Sequence, residues 1–269
     1  MNIKLQETSK NITKEFLKYG YIVKKIKSKE SLDWIKKIFI TAIKKELKKY
    51  NQKKDLPREF DYLNNIHQII KPNELNNFRL EIITKINSSK KFKEKYYQIA
   101  KPYLDILVGD ELAMQKKINL SIQLPKDKSS LLDIHADTWD GDSPFETVVW
   151  IPLVDCYKTK SMYLLPRKEN SFFEKIYKKN KNKKLNIYKS LKNKIEWIKI
   201  NYGEVLIFNQ CLPHGNIENK EGETRWSMNC RFKSLFSPYA DKKLGDFFDP
   251  VGIKPVTQIG LNYKFPDEE

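Results

Sequence analysis

Near Gly109 the spacing of apolar residues changes from a helical period to a strand period, which narrows the architectures open to this chain. Ahead of that point, residues 9–19 read as a helix stopped by Gly20, a residue suited to a left-handed C-cap. A strand over 21–26 follows. Ser28 or Ser31 can cap the next helix, in which Leu32, Ile35, Phe39, Ala42 and Leu47 recur on one face. A further helix covers 90–107. Beyond Gly109, residues 118–124 (INLSIQL) alternate as a half-buried strand does. Segments 147–154, 162–165, 204–208 and 225–232 complete a set of short strands. Pro152 suits the 147–154 strand to a sheet edge or a bulge. The lysine-rich stretch 168–199 interrupts the strands with helical segments around SFFEKIYKK and IYKSLKNKIEWI.

Helices first and then two runs of short strands predict an α+β, mainly β fold. Its core is a double-stranded β-helix (jelly roll) with N-terminal helices packed on one sheet. At 269 residues one domain with a substantial core is expected. It divides into a helical layer over 1–110, a jelly-roll core over 111–240 carrying the insertion 168–199, and a C-terminal extension over 241–269.

The net charge of +17 invites an anionic polymer or surface as partner. The kind of cation argues against it. Only Arg58, Arg79, Arg167, Arg225 and Arg231 carry the guanidinium fork on which phosphate and base recognition draws. The charge is read as solvated lysine, with neither nucleic acid nor membrane as partner. Cys156, Cys211 and Cys230 have no disulfide or metal spacing, which suits a reducing compartment. The N-terminus lacks an apolar signal core, and the longest apolar run, 148–154, is too short to cross a bilayer. A cytoplasmic location is expected. No G-x-G-x-x-G or Walker loop is present, so nucleotide-binding folds gain no support.

Chemistry concentrates in two lysine-free stretches. No Lys or Arg occurs from Ser129 through Tyr157, or from Ile200 to Asn219. The first holds His135 and Asp137, an H-x-D pair in LLDIHADTWDG, and the second holds His214 in FNQCLPHGN. Residues at i and i+2 of an extended segment point to one side, so His135 and Asp137 can reach one ion. Two imidazoles and one carboxylate leave open positions on a metal, an arrangement suited to non-haem Fe(II) working with oxygen. Arg225 follows in TRWSMNCRF, with Ser227, Asn229 and Arg231 continuing its strand face. A buried guanidinium there requires a carboxylate partner.

With these residues in place the chain resembles the Fe(II)/2-oxoglutarate-dependent dioxygenases. Within them it is most similar to the phytanoyl-CoA dioxygenase-like branch, in a bacterial subgroup associated with carbohydrate and aminoglycoside biosynthesis clusters. EFLKYGYIVKKI resembles that branch's opening helix–Gly–strand, INLSIQLP followed by HADTWDG its first ligand strand, and GEVLIFNQCLPHGNIENKEGETRWSMNCRF its closing segment. SMYLLPRKEN resembles its proline turn, except that Arg167 and Lys168 stand where glycine and serine are usual.

The resemblance implies that His135, Asp137 and His214 hold Fe(II) as the catalytic centre. It implies that Arg225, assisted by Ser227, takes the distal carboxylate of 2-oxoglutarate, with Gln123 and Trp150 touching the same co-substrate. O₂ is then consumed while 2-oxoglutarate becomes succinate and a substrate C–H bond is oxidised. Halogenases of the family lack the carboxylate that Asp137 supplies, so hydroxylation is favoured. Trp139, with Asp140, Asp142 and Glu146, would set an indole face beside hydrogen-bonding carboxylates, suited to a sugar or nucleotide sugar. Two alternatives stay open. One is a zinc-dependent hydrolase on the same triad, which gives Arg225 and Ser227 no role. The other is a non-enzymatic basic binding protein, whose binding would fall with salt.

Overall fold

The computed structural model describes residues 3–50, 59–179 and 184–266; Arg58 lies outside them. Helix α1 (Ile3–Tyr19) runs longer than the expected 9–19 and stops at Gly20, whose N–H bonds to the Phe16 carbonyl. Gly20 has a φ of +79°, and a Cβ there would stand 2.8 Å from Leu212, so conformation and space both demand glycine. Strand β1 (Tyr21–Lys25) follows, then helices α2 (Lys29–Leu47), α3 (Pro72–Asn87) and α4 (Lys90–Leu107). Leu32, Ile35, Phe39 and Ile43 form the buried stripe of α2, and Ala42 and Leu47 pack at its margin. Neither expected serine cap forms as a backbone contact. The Ser28 hydroxyl bonds instead to Ser31, which reaches Gln98 on α4. Helix α3, absent from the sequence reading, begins at Pro72, and Glu74 folds back onto the Lys71 N–H at 2.9 Å.

The strands are β2 (Leu112–Gln115), β3 (Asn119–Gln123), β4 (Glu146–Pro152), β5 (Tyr163–Leu164), β6 (Glu196–Trp197), β7 (Glu204–Asn209), β8 (His214–Gly215), β9 (Arg225–Ser234) and β10 (Phe248–Val251). The larger sheet has the order β1-β7-β4-β9-β2-β10, with β3 also on β9 ahead of β2. The smaller one is β6-β5-β8. Every ladder is antiparallel.

Strand β4 lies between β7 and β9, not at the edge that Pro152 suggested. The proline is tolerated because it ends the strand. The ladder with β7 closes at Trp150, so no N–H is needed from Pro152 on that side. The region after 240 is likewise more than an extension: β10 joins the larger sheet, and Phe248 is buried with Leu235.

Alternation along β9 divides two environments. Trp226 is fully buried toward the helices, edge-on to Phe39 at 6.5 Å and to Phe78 at 6.4 Å. Arg225, Ser227, Asn229 and Arg231 therefore take the opposite face. Two helices of the insertion, α5 (Asn170–Lys179) and α6 (Lys184–Leu191), feed a separate apolar cluster around Ile134, Tyr163, Leu165 and Leu191. Among the described residues no helix is long and apolar enough to cross a membrane.

Candidate metal centre

His135 and His214 come together through their backbones. The N–H of each bonds to the carbonyl of the other, at 2.9 and 2.7 Å, and the rings stand 4.3 Å apart between centroids. Gly215 makes the approach possible: a Cβ there would stand 2.7 Å from the Leu132 carbonyl and 2.6 Å from the Tyr163 hydroxyl. His135 Nδ1 lies 2.7 Å from the Asp133 carbonyl, and His214 Nδ1 2.9 Å from the Leu212 carbonyl. A carbonyl only accepts, so each Nδ1 carries the hydrogen and each Nε2 keeps a free lone pair. Metal-binding histidines are commonly held this way, the other ring nitrogen donating to a carbonyl.

Asp137 opens a short turn directly after the extended Ala136, which puts its Oδ1 3.9 Å from His135 Nε2. One ligand atom from each of the three residues lies within 4.8 Å of the others. One ion bound to all three at about 2.0–2.2 Å would draw these atoms closer together. His214 is buried, and that burial, with His135 beside it, holds its pKa well below the usual imidazole range. The neutral form is the one a metal needs. The third histidine, His67, is occupied elsewhere by Thr224.

The triad opens on a cavity of about 190 Å³ between the two sheets, which Trp150, Met162, Ser121 and Arg225 also border. Arg225 is 3% exposed. It donates to the Ser161 carbonyl at 3.2 Å and to the Ser121 hydroxyl at 3.0 Å, while its Nε has no partner. Among the described residues no carboxylate pairs with it. Burial lowers its pKa to about 10, which still leaves it a cation at neutral pH. Ser227, on the same face, is buried with an unpartnered hydroxyl but does not border the cavity.

Of the two other residues expected at the co-substrate, Trp150 lines the cavity and Gln123 does not. Gln123 spends its amide nitrogen on the Ile217 carbonyl at 2.6 Å, although its Oε1 is unpartnered.

The loop expected to read a sugar is engaged elsewhere, and none of its four residues borders the cavity. Trp139 stacks on Phe173 of α5 at 5.6 Å with 6° between planes, and lies 5.1 Å from Tyr177. Its indole anchors the insertion. Asp142 is buried between Arg231 at 2.9 Å and Lys242 at 2.5 Å. Both Glu146 oxygens are buried without a partner, and burial, with Asp142 nearby, raises its pKa. Asp140 is exposed. Arg231 also holds Asp137 Oδ1, at 3.1 Å.

Three polar cavity residues escaped the sequence reading: Asn119, Ser121 and Asn216. The first two carried a signal, since Asn119, Ser121 and Gln123 are the alternating polar positions of INLSIQL. Asn216 accepts the Leu132 N–H at 2.6 Å and donates to the Ser130 carbonyl, tying the approach to His135 onto β8. Only its place two residues after His214 hinted at that.

No family model matches the chain, and none of the curated proteins matches it. Solved structures do. A non-heme monooxygenase, ThoJ in complex with nickel, is 13% identical over 93% of this chain and 93% of its own, with a TM-score of 0.47. HygX from Streptomyces hygroscopicus, with nickel and 2-oxoglutarate bound, is 12% identical over 89% of each chain, with a TM-score of 0.48. SnoN, a non-heme alpha ketoglutarate dependent epimerase from nogalamycin biosynthesis, is 10% identical over 87% of this chain and 84% of its own, with a TM-score of 0.46. At these scores the likeness carries no argument about chemistry, which rests on this chain's own side chains.

Proposed function

We propose that this protein is a non-haem Fe(II)- and 2-oxoglutarate-dependent oxygenase that hydroxylates a small, polar organic substrate. The observation that carries the reading is Arg225. A buried guanidinium with no carboxylate partner among the described residues opens on the same cavity as the His135–Asp137–His214 triad. An uncompensated buried cation is costly, and an anion docking in that cavity would relieve the cost. The two facing antiparallel sheets are read as the jelly roll that such a site requires.

The residues fit the groups proposed. Two imidazoles and one carboxylate make a donor set for Fe(II) with positions left open for other ligands. Arg225 supplies a planar fork to a carboxylate, and the unpartnered Ser227 hydroxyl on the same face could add a hydrogen bond. When bound together, iron, O₂ and 2-oxoglutarate would supply the oxidising power for a C–H bond, with succinate and CO₂ as the co-products. The chain's part is to hold and exclude. The Asp133 and Leu212 carbonyls fix the tautomers of the two histidines, and Arg225 orients the co-substrate by its far end. Phe208 packs edge-on to His214 at 5.1 Å and keeps water from that side of the imidazole.

The cavity wall is mixed: Asn119 and Asn229, bonded to each other, and Asn216 stand beside the charged Asp137, Arg225 and Arg231 and the apolar Leu132, Val148 and Met162. A wall that mixes apolar side chains with hydrogen-bonding groups suits a hydroxylated molecule such as a sugar or sugar-containing metabolite. The experiment is succinate formation from 2-oxoglutarate by Fe(II)-loaded protein, with candidate sugars, nucleotide sugars and acyl-CoAs added in turn. Stimulation by a sugar supports the full reading. Stimulation by acyl-CoA alone removes the carbohydrate proposal, and hydrolysis with zinc in the absence of 2-oxoglutarate removes the oxygenase proposal.

A further inference from the structure

Asp137 is shared. Its Oδ1, the oxygen 3.9 Å from His135 Nε2, is also the one held by Arg231 at 3.1 Å. Arg231 cannot swing aside freely, because its other nitrogen is fixed on Asp142 at 2.9 Å, and Asp142 is fixed in turn by Lys242 at 2.5 Å. The Phe247 ring lies 5.9 Å from the guanidinium carbon and backs it from another side. Asp137, Arg231, Asp142 and Lys242 thus form a charge-balanced chain that ends on a metal-ligand carboxylate.

We propose that Arg231 sets the divalent-ion affinity of the His135–Asp137–His214 site by withdrawing part of Asp137's charge from it. The inference rests on the triad being a metal site. A cation beside a carboxylate lowers its affinity for protons, and by the same electrostatics for metal ions. The guanidinium also repels a dication directly. Both effects weaken the site, whereas a group that accepts a hydrogen bond from a ligating histidine strengthens that ligand. Asp142 moderates the effect by drawing part of the Arg231 charge away from Asp137. Arg231 is therefore a positioning residue that attenuates, and it is distinct in role from Arg225, which has no carboxylate partner.

The test is calorimetric titration of Ni²⁺ into metal-stripped protein without 2-oxoglutarate. Outer-shell changes move metal affinity by roughly 10–100-fold. Arg231→Met should bind Ni²⁺ about tenfold tighter than the parent, and Arg231→Lys, which keeps the charge, should stay close to it. Asp142→Asn, which leaves the full guanidinium charge on Asp137, should bind more weakly. A damaged fold can only weaken binding, so tightening in Arg231→Met cannot arise from misfolding. Should the parent bind one Ni²⁺ that His135→Ala loses, while Arg231→Met binds equally or less tightly, this inference fails and the metal site stands. Should the parent bind no Ni²⁺, both fail.

Discussion

Arg225 and Arg231 stand on one face of one strand, about 20 Å apart along it, and their surroundings are opposite. Arg231 meets two carboxylates, Asp137 and Asp142, and its charge is spent inside the protein. Arg225 is more deeply buried yet meets only a serine hydroxyl and a carbonyl, with Nε left over. Identical chemistry at the two ends of one cavity face therefore serves different ends. On the function proposed, the paired guanidinium tunes its neighbours and the other takes an anion from outside. The triad, at the Arg231 end, is bound into the network, whereas the Arg225 end keeps its capacity for a ligand.

The sharpest way to break this contrast is to remove the metal ligands themselves. His135→Ala, Asp137→Ala and His214→Ala should each lose the one bound iron per chain and all 2-oxoglutarate-dependent oxygen uptake. Circular dichroism should stay near that of the parent. Unchanged iron content in His214→Ala would remove the triad from the account.

Next in size comes Arg225. Losing one partner of a sheltered charge-assisted pair costs roughly 2–4 kcal/mol. Arg225→Ala should then raise the 2-oxoglutarate requirement about 30- to 1,000-fold, with Ni²⁺ affinity held. The same measurement on Arg231→Met should show the reverse pattern, a change at the metal and little at the co-substrate. If both variants change the same constant, the two ends are not separate.

Trp139 tests the loop beside the ligands. Its stack on Phe173 and Tyr177 should contribute about 1–3 kcal/mol to docking of the insertion. Trp139→Ala should make the 168–199 region the first site of limited proteolysis while the iron stays bound. Loss of sugar-stimulated turnover without faster cleavage would return the indole to the substrate.

The smallest effect expected is at Glu146. Burial raises its pKa above the usual carboxylate value, so the folded state binds this proton more tightly than the unfolded state does. The associated stability is complete at pH below about 4.5 and is lost as pH rises through the folded pKa. Glu146→Gln should gain stability relative to the parent above about pH 4.5, the gain growing as pH rises through the folded pKa in urea titrations. A parallel pair of stability–pH curves would mean that the nearby cations already offset the burial.

Much of this contrast was legible in the sequence. His135, Asp137, His214 and Arg225 stood out as an ordered set of residue types, and they do meet at one cavity; α2 and β9 stood out because their apolar period is regular. What stayed hidden was set by long-range partners. Helix α3 is the exception: its buried Leu75, Phe78, Ile82 and Ile86 keep the spacing of the α2 stripe, and Pro72 marks its first turn, so the sequence did carry it. Strand β4 looked like an edge because a proline shows its missing N–H and not where the neighbouring ladder stops. The Trp139–Glu146 loop looked like a substrate wall because nothing local shows that Phe173, Arg231 and Lys242 arrive from elsewhere to occupy it.

The central claim is that Arg225 is kept unpaired for the far carboxylate of a dicarboxylic co-substrate. Its most direct test is calorimetric titration of nickel-loaded protein, under anaerobic conditions, with 2-oxoglutarate and separately with 2-oxobutyrate, which lacks that carboxylate. The account predicts 1:1 binding of 2-oxoglutarate, with 2-oxobutyrate weaker by about 30- to 1,000-fold and the difference erased in Arg225→Ala. Equal affinity for the two acids in the parent, or no binding of either, would contradict it.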